Sequence, residues 1–271
     1  RSVGENPRSF GKCTFRWGAL LIPNPIHKVL SSIRAHRVRA LLMGGQACVF
    51  YGAAEFSRDT DFAILASQAN LSRLRAALAD LQAEVIAVPP FELKYLRQGH
   101  AIHFRCHTSE AAGMRVDVMT RMRGVDSFAK LWPRRLTLRA EDGTVYELMS
   151  LPDLVKAKKT QRDKDWPMIR RLVEADYFGQ RGKPKQQQLR FWFLELRTAE
   201  LLIELSALHA DVCRKLIKQR SLLKLAAAGA GFGLAEALAE EEGLERKADR
   251  AYWAPLKAEL EQLRRARLRH R

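Results

Sequence analysis

Three aspartates carry the chemistry that this sequence can be read for. The stretch GGQACVFYGAAEFSRDTD (44–61) opens on Gly44 and Gly45 and closes on Asp59 and Asp61, with thirteen residues between the second glycine and the first aspartate. Two carboxylates at i and i+2 on a strand point to the same face. Held together they repel, and each raises the cost of ionising the other. A divalent cation removes that cost. Carboxylate oxygens suit Mg²⁺, which takes one or two carboxylates and fills its shell with waters and phosphate oxygens. Asp117, in MRVDVM, sits inside an apolar run, where an unpaired charge is expensive. On a strand beside Asp59 and Asp61 it would complete a two-metal site for phosphoryl transfer. Gly44 and Gly45 supply the other half, because a glycine turn between strand and helix offers free backbone N–H groups to a triphosphate. The plainer alternative is a solvated turn at Asp59-x-Asp61 and an edge-strand charge at Asp117.

These residues need a strand–turn–helix–strand frame, and the pattern around them predicts one. RALLMGG (39–45) is a short apolar run stopped by glycines, read as a buried strand. QACVFYGA (46–53) follows as a short helix, and TDFAILA (60–66) as a second strand. PNPIHKVLSSIRAHRV (23–38) and NLSRLRAALADLQAEV (70–85) place apolar residues at helical spacing. PPFELKYL (89–96) reads as a connector. GHAIHFRCH (99–107) and GMRVDVMT (113–120) flank a polar turn and predict a hairpin. LRAEDGTVYELMS (138–150) predicts another, with Asp142-Gly143 at its turn.

Helices are expected over 151–160 and 166–178. GQRGKPKQQQ (179–188) has the composition of a linker. Beyond it, 189–220 reads as one long helix or two, AAAGAGFG (226–233) as a break, and 234–271 as two helices with Pro255 near the start of the second. The expected fold is α+β: a small mixed sheet with flanking helices over 23–178, then an all-helical domain over 189–271. Residues 1–22 are set aside as an N-terminal extension.

Composition narrows the function classes. The chain of 271 residues is 47% hydrophobic, enough to bury a core. Four scattered cysteines with no CxxC pair argue against a disulfide framework and fit a reducing, cytoplasmic setting. No run approaches the ~20 apolar residues of a membrane span. The net charge of +17 points to an anionic partner: nucleic acid, nucleotides or an acidic protein.

Taken together, Gly44, Gly45, Ala47, Gly52, Ser57, Asp59 and Asp61, followed by Asp117 between Val116 and Val118, resemble the signature of the DNA-polymerase-β-like nucleotidyltransferase superfamily. RDKDWPMI (162–169) is similar to the RxKDxxDI segment of its AbiEii-like bacterial branch. The resemblance spans about residues 25–178. It implies that Asp59 and Asp61 bind the metals, Mg²⁺ or Mn²⁺. It implies that Asp117 binds the catalytic metal and helps deprotonate the acceptor, and that Gly44, Gly45 and Ser57 hold the triphosphate. The implied reaction moves an NMP from an NTP to a hydroxyl and releases pyrophosphate. The charge tilts the acceptor towards RNA, with tRNA first. The branch adds a toxin or phage-defence context and a cognate partner protein. Transfer to a protein or to a small molecule such as an antibiotic is the second enzyme reading. A non-catalytic RNA- or partner-binding module, such as an antitoxin, is the reading from another class. The chain departs from the pattern at Glu55, where relatives often carry Arg, and at Thr60, where they carry an apolar residue.

Other clusters have competing readings. Lys158, Lys159, Arg162 and Lys164 are an exposed helix face or a phosphate-neutralising set, with Lys164 the preferred member. Asp165 orients such a lysine or caps the helix that follows. His100, His103, Cys106 and His107 invite zinc, but strand alternation puts His100 and His103 on opposite sides. Phe191, Trp192 and Phe193 read as core more than as a base-stacking platform. The terminal RRARLRHR is a solvated end or a grip on a phosphate backbone.

Overall fold

The computed structural model describes residues 24–139 and 144–269. In chain order the elements are α1 (Asn24–Ala35), β1 (Ala40–Met43), α2 (Gly44–Phe50), β2 (Asp59–Ile64), α3 (Gln68–Asp80), β3 (Glu84–Val85), α4 (Leu93–Gln98), β4 (Ile102–Arg105), β5 (Arg115–Met119), α5 (Phe128–Leu131), β6 (Leu136–Arg139) and β7 (Val145–Leu148). The helical remainder is α6 (Leu151–Lys158), α7 (Asp165–Gln180), α8 (Gln186–Glu195), α9 (Ala199–Leu208), α10 (Ala210–Leu216), α11 (Leu223–Ala227) and α12 (Gly231–Arg269). The α+β class is as expected. The expected N-terminal extension and the Asp142-Gly143 turn lie outside the described residues.

The sheet is larger than the small one expected. Seven strands run in the order β3-β4-β5-β2-β1-β7-β6. β2 pairs antiparallel with β1 and parallel with β5, so it lies at the centre. β4 pairs antiparallel with β5, and β6 with β7, giving the two hairpins read from the sequence. The extra width comes from β3, a two-residue edge strand in what the leucine spacing suggests is still helix. The helix stops instead at Asp80, and Gln82 takes a positive φ of 48° that turns the chain back to the sheet. The stretch read as a connector contains α4, closed by Gly99 at φ 113°.

Burial follows the strand period. In β2, Asp59 and Asp61 are half-buried while Thr60 and Phe62 are buried; β5 repeats this with Asp117 between buried Val116 and Val118. One contiguous core runs from Ile26 in α1 through the sheet to Leu234 and Leu238 in α12. Trp192 and Phe193 are fully buried, as the core reading required. Trp192 packs edge-to-face on Tyr177 at 5.2 Å, and its Nε1 donates to Asp176 at 2.7 Å. Between α7 and α8 only residues 181–185 lie outside helix, so the linker-like stretch is largely the end of one helix and the start of the next.

The helical part differs from expectation in its breaks. Residues 189–220 fall in three helices, α8, α9 and α10, because Leu196–Thr198 and His209 leave helical geometry. The two terminal helices are one, α12, of 39 residues with Pro255 inside it. At 1.5 Å per residue it is nearly 60 Å long. Contacts with the sheet domain hold it on both sides of the proline: Glu245 with Arg123, and Glu259 Oε2 with buried His100 Nε2 at 2.8 Å. Among the described residues no helix is long and apolar enough to cross a membrane.

Pro255 is exposed and removes the hydrogen bond its N–H would give to the Ala251 carbonyl. Pro255→Ala is expected to stabilise the protein by about 1–3 kcal/mol, read as a higher urea midpoint at unchanged m-value.

Candidate active site

Register, not sequence distance, builds the acidic face. In the parallel β2–β5 pair, Asp61 lies directly opposite Asp117 and Asp59 opposite Arg115. In the antiparallel β4–β5 pair, His103 lies opposite Asp117, and on the other side of β2, Met43 lies opposite Asp61. Strand alternation then puts Asp59, Asp61, Asp117, Arg115 and His103 on one face. The three aspartates singled out by the sequence are therefore brought together, and Arg115, not read from it, and His103, read only as a zinc candidate, come with them.

The Gly44-Gly45 turn closes on this face. Gly44 has φ 66°, and a Cβ there would lie 1.9 Å from Asp61 Oδ2. A Cβ on Gly45 would lie 2.6 Å from Ser57 Oγ, which itself donates to the Asp59 carbonyl at 3.1 Å. The Gly45 backbone amide acts on the Asp61 carboxylate in the direction that favours its charged form. The first glycine thus gives the carboxylate room and the second leaves space for Ser57, which pins the start of β2. Glu55 and Arg58 are exposed. Thr60 is fully buried on the opposite face with its hydroxyl unpartnered, the cost of placing Thr where an apolar residue would do.

The two facing carboxylates have different proton affinities. Burial pushes Asp61 up to about 6, the charges of Asp117 and Asp59 push the same way, and Lys158 and the Gly45 N–H oppose them. Burial also pushes Asp117 up, but hydrogen bonds and charge from His103 and Arg115 outweigh it and hold its carboxyl below the usual range. Arg115 Nε donates to Asp117 Oδ1 at 2.8 Å, and His103 Nδ1 lies 2.9 Å from the same oxygen. Arg115 Nη2 is also 3.0 Å from His103 Nδ1. One ring nitrogen serves one partner at a time: protonated it donates to Asp117, unprotonated it accepts from Arg115.

The cation acting on Asp61 is Lys158, at the end of α6. Lys164, preferred from sequence, is exposed at the start of α7. Lys158 is largely buried and donates to Asp165 Oδ1 at 3.1 Å. Asp165 also accepts from Thr160 Oγ1 at 2.6 Å and from Arg162 Nε at 2.7 Å. Of its two sequence readings, orienting a lysine is the one the contacts support. The run of positive residues from 158 to 164 hid which one turns inward, because that is decided by where α6 ends. The candidate zinc set disperses: His100 contacts Glu259, His103 contacts Asp117, His107 is 3.8 Å from Glu84, and Cys106 is buried.

The donor set fits Mg²⁺ or Mn²⁺ in one sense. Among the described residues no three His, Cys, Asp or Glu side chains are gathered into a cage. Mg²⁺ does not demand one, since it is commonly held by one or two carboxylates plus substrate phosphates. Asp59 and Asp61 supply that pair. Asp117 Oδ1 is taken by Arg115 and His103, so only Oδ2 remains for a metal.

Two outcomes follow. Gly44→Ala forces an L-residue into left-handed backbone and drives a methyl into Asp61, so it is expected to cost at least ~3 kcal/mol in chemical denaturation. Asp61 binds its proton more tightly folded than unfolded, so its ionisation opposes folding. The penalty is absent below about pH 4, grows through about pH 6 and then levels at roughly 3 kcal/mol at most. Asp117 and Asp165 are shifted the other way and lose their stabilisation only below the usual carboxylate range. Asp61→Asn is therefore expected to match the wild type near pH 4 and to melt higher at pH 7.5. A gap independent of pH would refute the assignment.

No protein-family model matches this sequence, and no curated protein does.

Proposed function

We propose that the chain is a metal-dependent nucleotidyltransferase that moves an NMP from an NTP to an acceptor hydroxyl. The observation that carries this is the pairing of Asp61 with Asp117 on adjacent parallel strands, with Asp59 beside them and a glycine turn packed on Asp61. A fold gains nothing in stability by putting like charges side by side in a half-buried place. The arrangement makes sense where a cation and a polyphosphate share the site.

Asp59 and Asp61 would hold Mg²⁺ or Mn²⁺, with Asp117 joining through Oδ2. The metal would supply charge neutralisation at the phosphates and at the attacking oxygen. Lys158, whose charge acts on Asp61, would offset phosphate charge. Gly44, Gly45 and Ser57 border it and bring the chain close without side-chain bulk. In the reaction the acceptor oxygen forms a bond to the α-phosphorus, the α–β bridging P–O bond breaks, and pyrophosphate leaves. Arg115 and His103 keep Asp117 ionised, so it suits a cation and takes the hydroxyl proton only in passing to water.

RNA, with tRNA first, is the favoured acceptor. The net charge of +17 and the exposed Arg264, Arg265, Arg267 and Arg269 in the last turns of α12 support it. A cytoplasmic setting and a cognate protein partner complete the proposal. One observation favours a non-catalytic module instead: Arg115 already neutralises Asp117 from within the protein.

Incubation with each α-labelled NTP, Mg²⁺ or Mn²⁺, and total RNA or lysate separates these readings. Label is expected in RNA, to be lost with a chelator and to fall at least a thousandfold in Asp59→Ala or Asp61→Asn. Label in protein or in a small metabolite moves the acceptor. No transfer, with no melting shift on adding Mg²⁺ and NTP, leaves the binding module.

A further inference from the structure

The loop between α6 and α7, residues 159–164, does not stand alone. Its backbone is held from three directions. Arg123, just after β5, donates from Nη2 to the Lys159 carbonyl at 2.8 Å. Trp166 Nε1 donates to the Thr160 carbonyl at 2.8 Å. Asp249 on α12 accepts the Gln161 N–H at 2.8 Å.

Asp249 is the unusual member. It is 2% exposed, on a helix that is otherwise mostly solvated. Its Oδ1 accepts from Trp253 Nε1 at 3.0 Å and from Arg123 Nε at 3.4 Å, while Oδ2 takes the loop amide. Arg123 also pairs with Glu245, and Arg246 with Asp163. A buried carboxylate is tolerated only when its oxygens are matched by donors, and here they are. The donors come from α12, from the chain after β5 and from the loop. The same loop is continuous with Lys158, whose charge acts on Asp61, and with Asp165, which holds it.

We infer that Arg123 and Asp249 are positioning residues: through the 159–161 backbone they fix Lys158 beside the carboxylate face, making α12 part of the phosphate-binding site. This rests on the nucleotidyltransferase reading. The competing account is that Asp249 and Arg123 only dock α12 on the sheet domain. Docking alone predicts lost stability in their variants, with no dependence on Lys158.

Magnesium tripolyphosphate is a suitable probe, because it needs no choice of base. Calorimetry is expected to show Lys158→Met binding it about tenfold more weakly, the loss of one charge-assisted contact, with Lys158→Arg largely restoring affinity. Asp249→Asn keeps the side chain's shape, and Arg123→Lys keeps the charge but cannot span three acceptors. Each is expected to weaken binding severalfold in the Lys158 background. Neither is expected to weaken it further in the Lys158→Met background, the non-additivity that marks action through one residue. Independent losses, or unchanged affinity in both variants, overturn the inference.

A second readout needs no nucleotide. Acylation of Lys158 by an amine reagent, followed by peptide mass spectrometry on folded full-length protein, is expected to rise in Asp249→Asn and Arg123→Lys. Unchanged labelling overturns the positioning role. Wild-type protein that ignores tripolyphosphate overturns the nucleotidyltransferase reading instead, and increased labelling in the variants would then still support the positioning role.

Discussion

The side-by-side placement of Asp61 and Asp117 is the constraint to which the surrounding structure answers. Adjacent strands are ~4.8 Å apart, so two carboxylates in direct register on one face repel strongly unless something intervenes. Each neighbour can be read as one answer to that repulsion. The Gly45 backbone favours the charged form of Asp61, Arg115 and His103 take Asp117, and Gly44 leaves the volume that Asp61 occupies. The answers are unequal, and so are the two carboxylates. One is held ionised while the other is left near the edge of titration at neutral pH, the separation by environment that acid–base sites exploit.

The same logic runs outward. Lys158 offsets the acidic face but is itself mostly buried, so it needs Asp165. Asp165 is almost fully buried, so it needs Thr160 and Arg162 as well. The loop that carries them needs donors and acceptors for its own backbone, and it finds them on Arg123, Trp166 and Asp249. Buried ion pairs of this kind are weak evidence for stability, because desolvation consumes most of the Coulomb gain. Their value lies in geometry. A charged group with several directional partners has few places to sit, and a flexible lysine stem is fixed only by what holds its end.

Local pattern foretold the elements that depend on local pattern. The β1–α2–β2 frame, the β4–β5 hairpin and the three aspartates were legible because apolar runs, glycine punctuation and i,i+2 spacing are short-range signals. What escaped depends on distant contacts. Helix pattern continued through Leu81 to Val85, yet an edge strand wins there because β4 offers it hydrogen bonds. Pro255 looked like a helix start, but α12 continues past it, anchored on both sides by contacts with Arg123 and His100. Lys158 and Lys164 are equivalent in sequence, and only the end of α6 separates an inward lysine from an exposed one. Arg115 carried no signal and His103 only a misleading zinc one, because their importance is a matter of register with Asp117.

The thirteen-residue spacing between the glycines and the first aspartate can now be understood physically. α2 and the loop after it carry the chain just far enough to return β2 antiparallel to β1, with Met43 opposite Asp61. Fifteen residues lie between Gly45 and Asp61 in the chain, yet the backbone of one acts on the carboxylate of the other. Any side chain at Gly44 would occupy the space of an Asp61 oxygen. The glycines are thus required by the carboxylate before any phosphate arrives. A turn shaped first for Asp61 leaves its close backbone approach open to the anion that the proposed reaction requires.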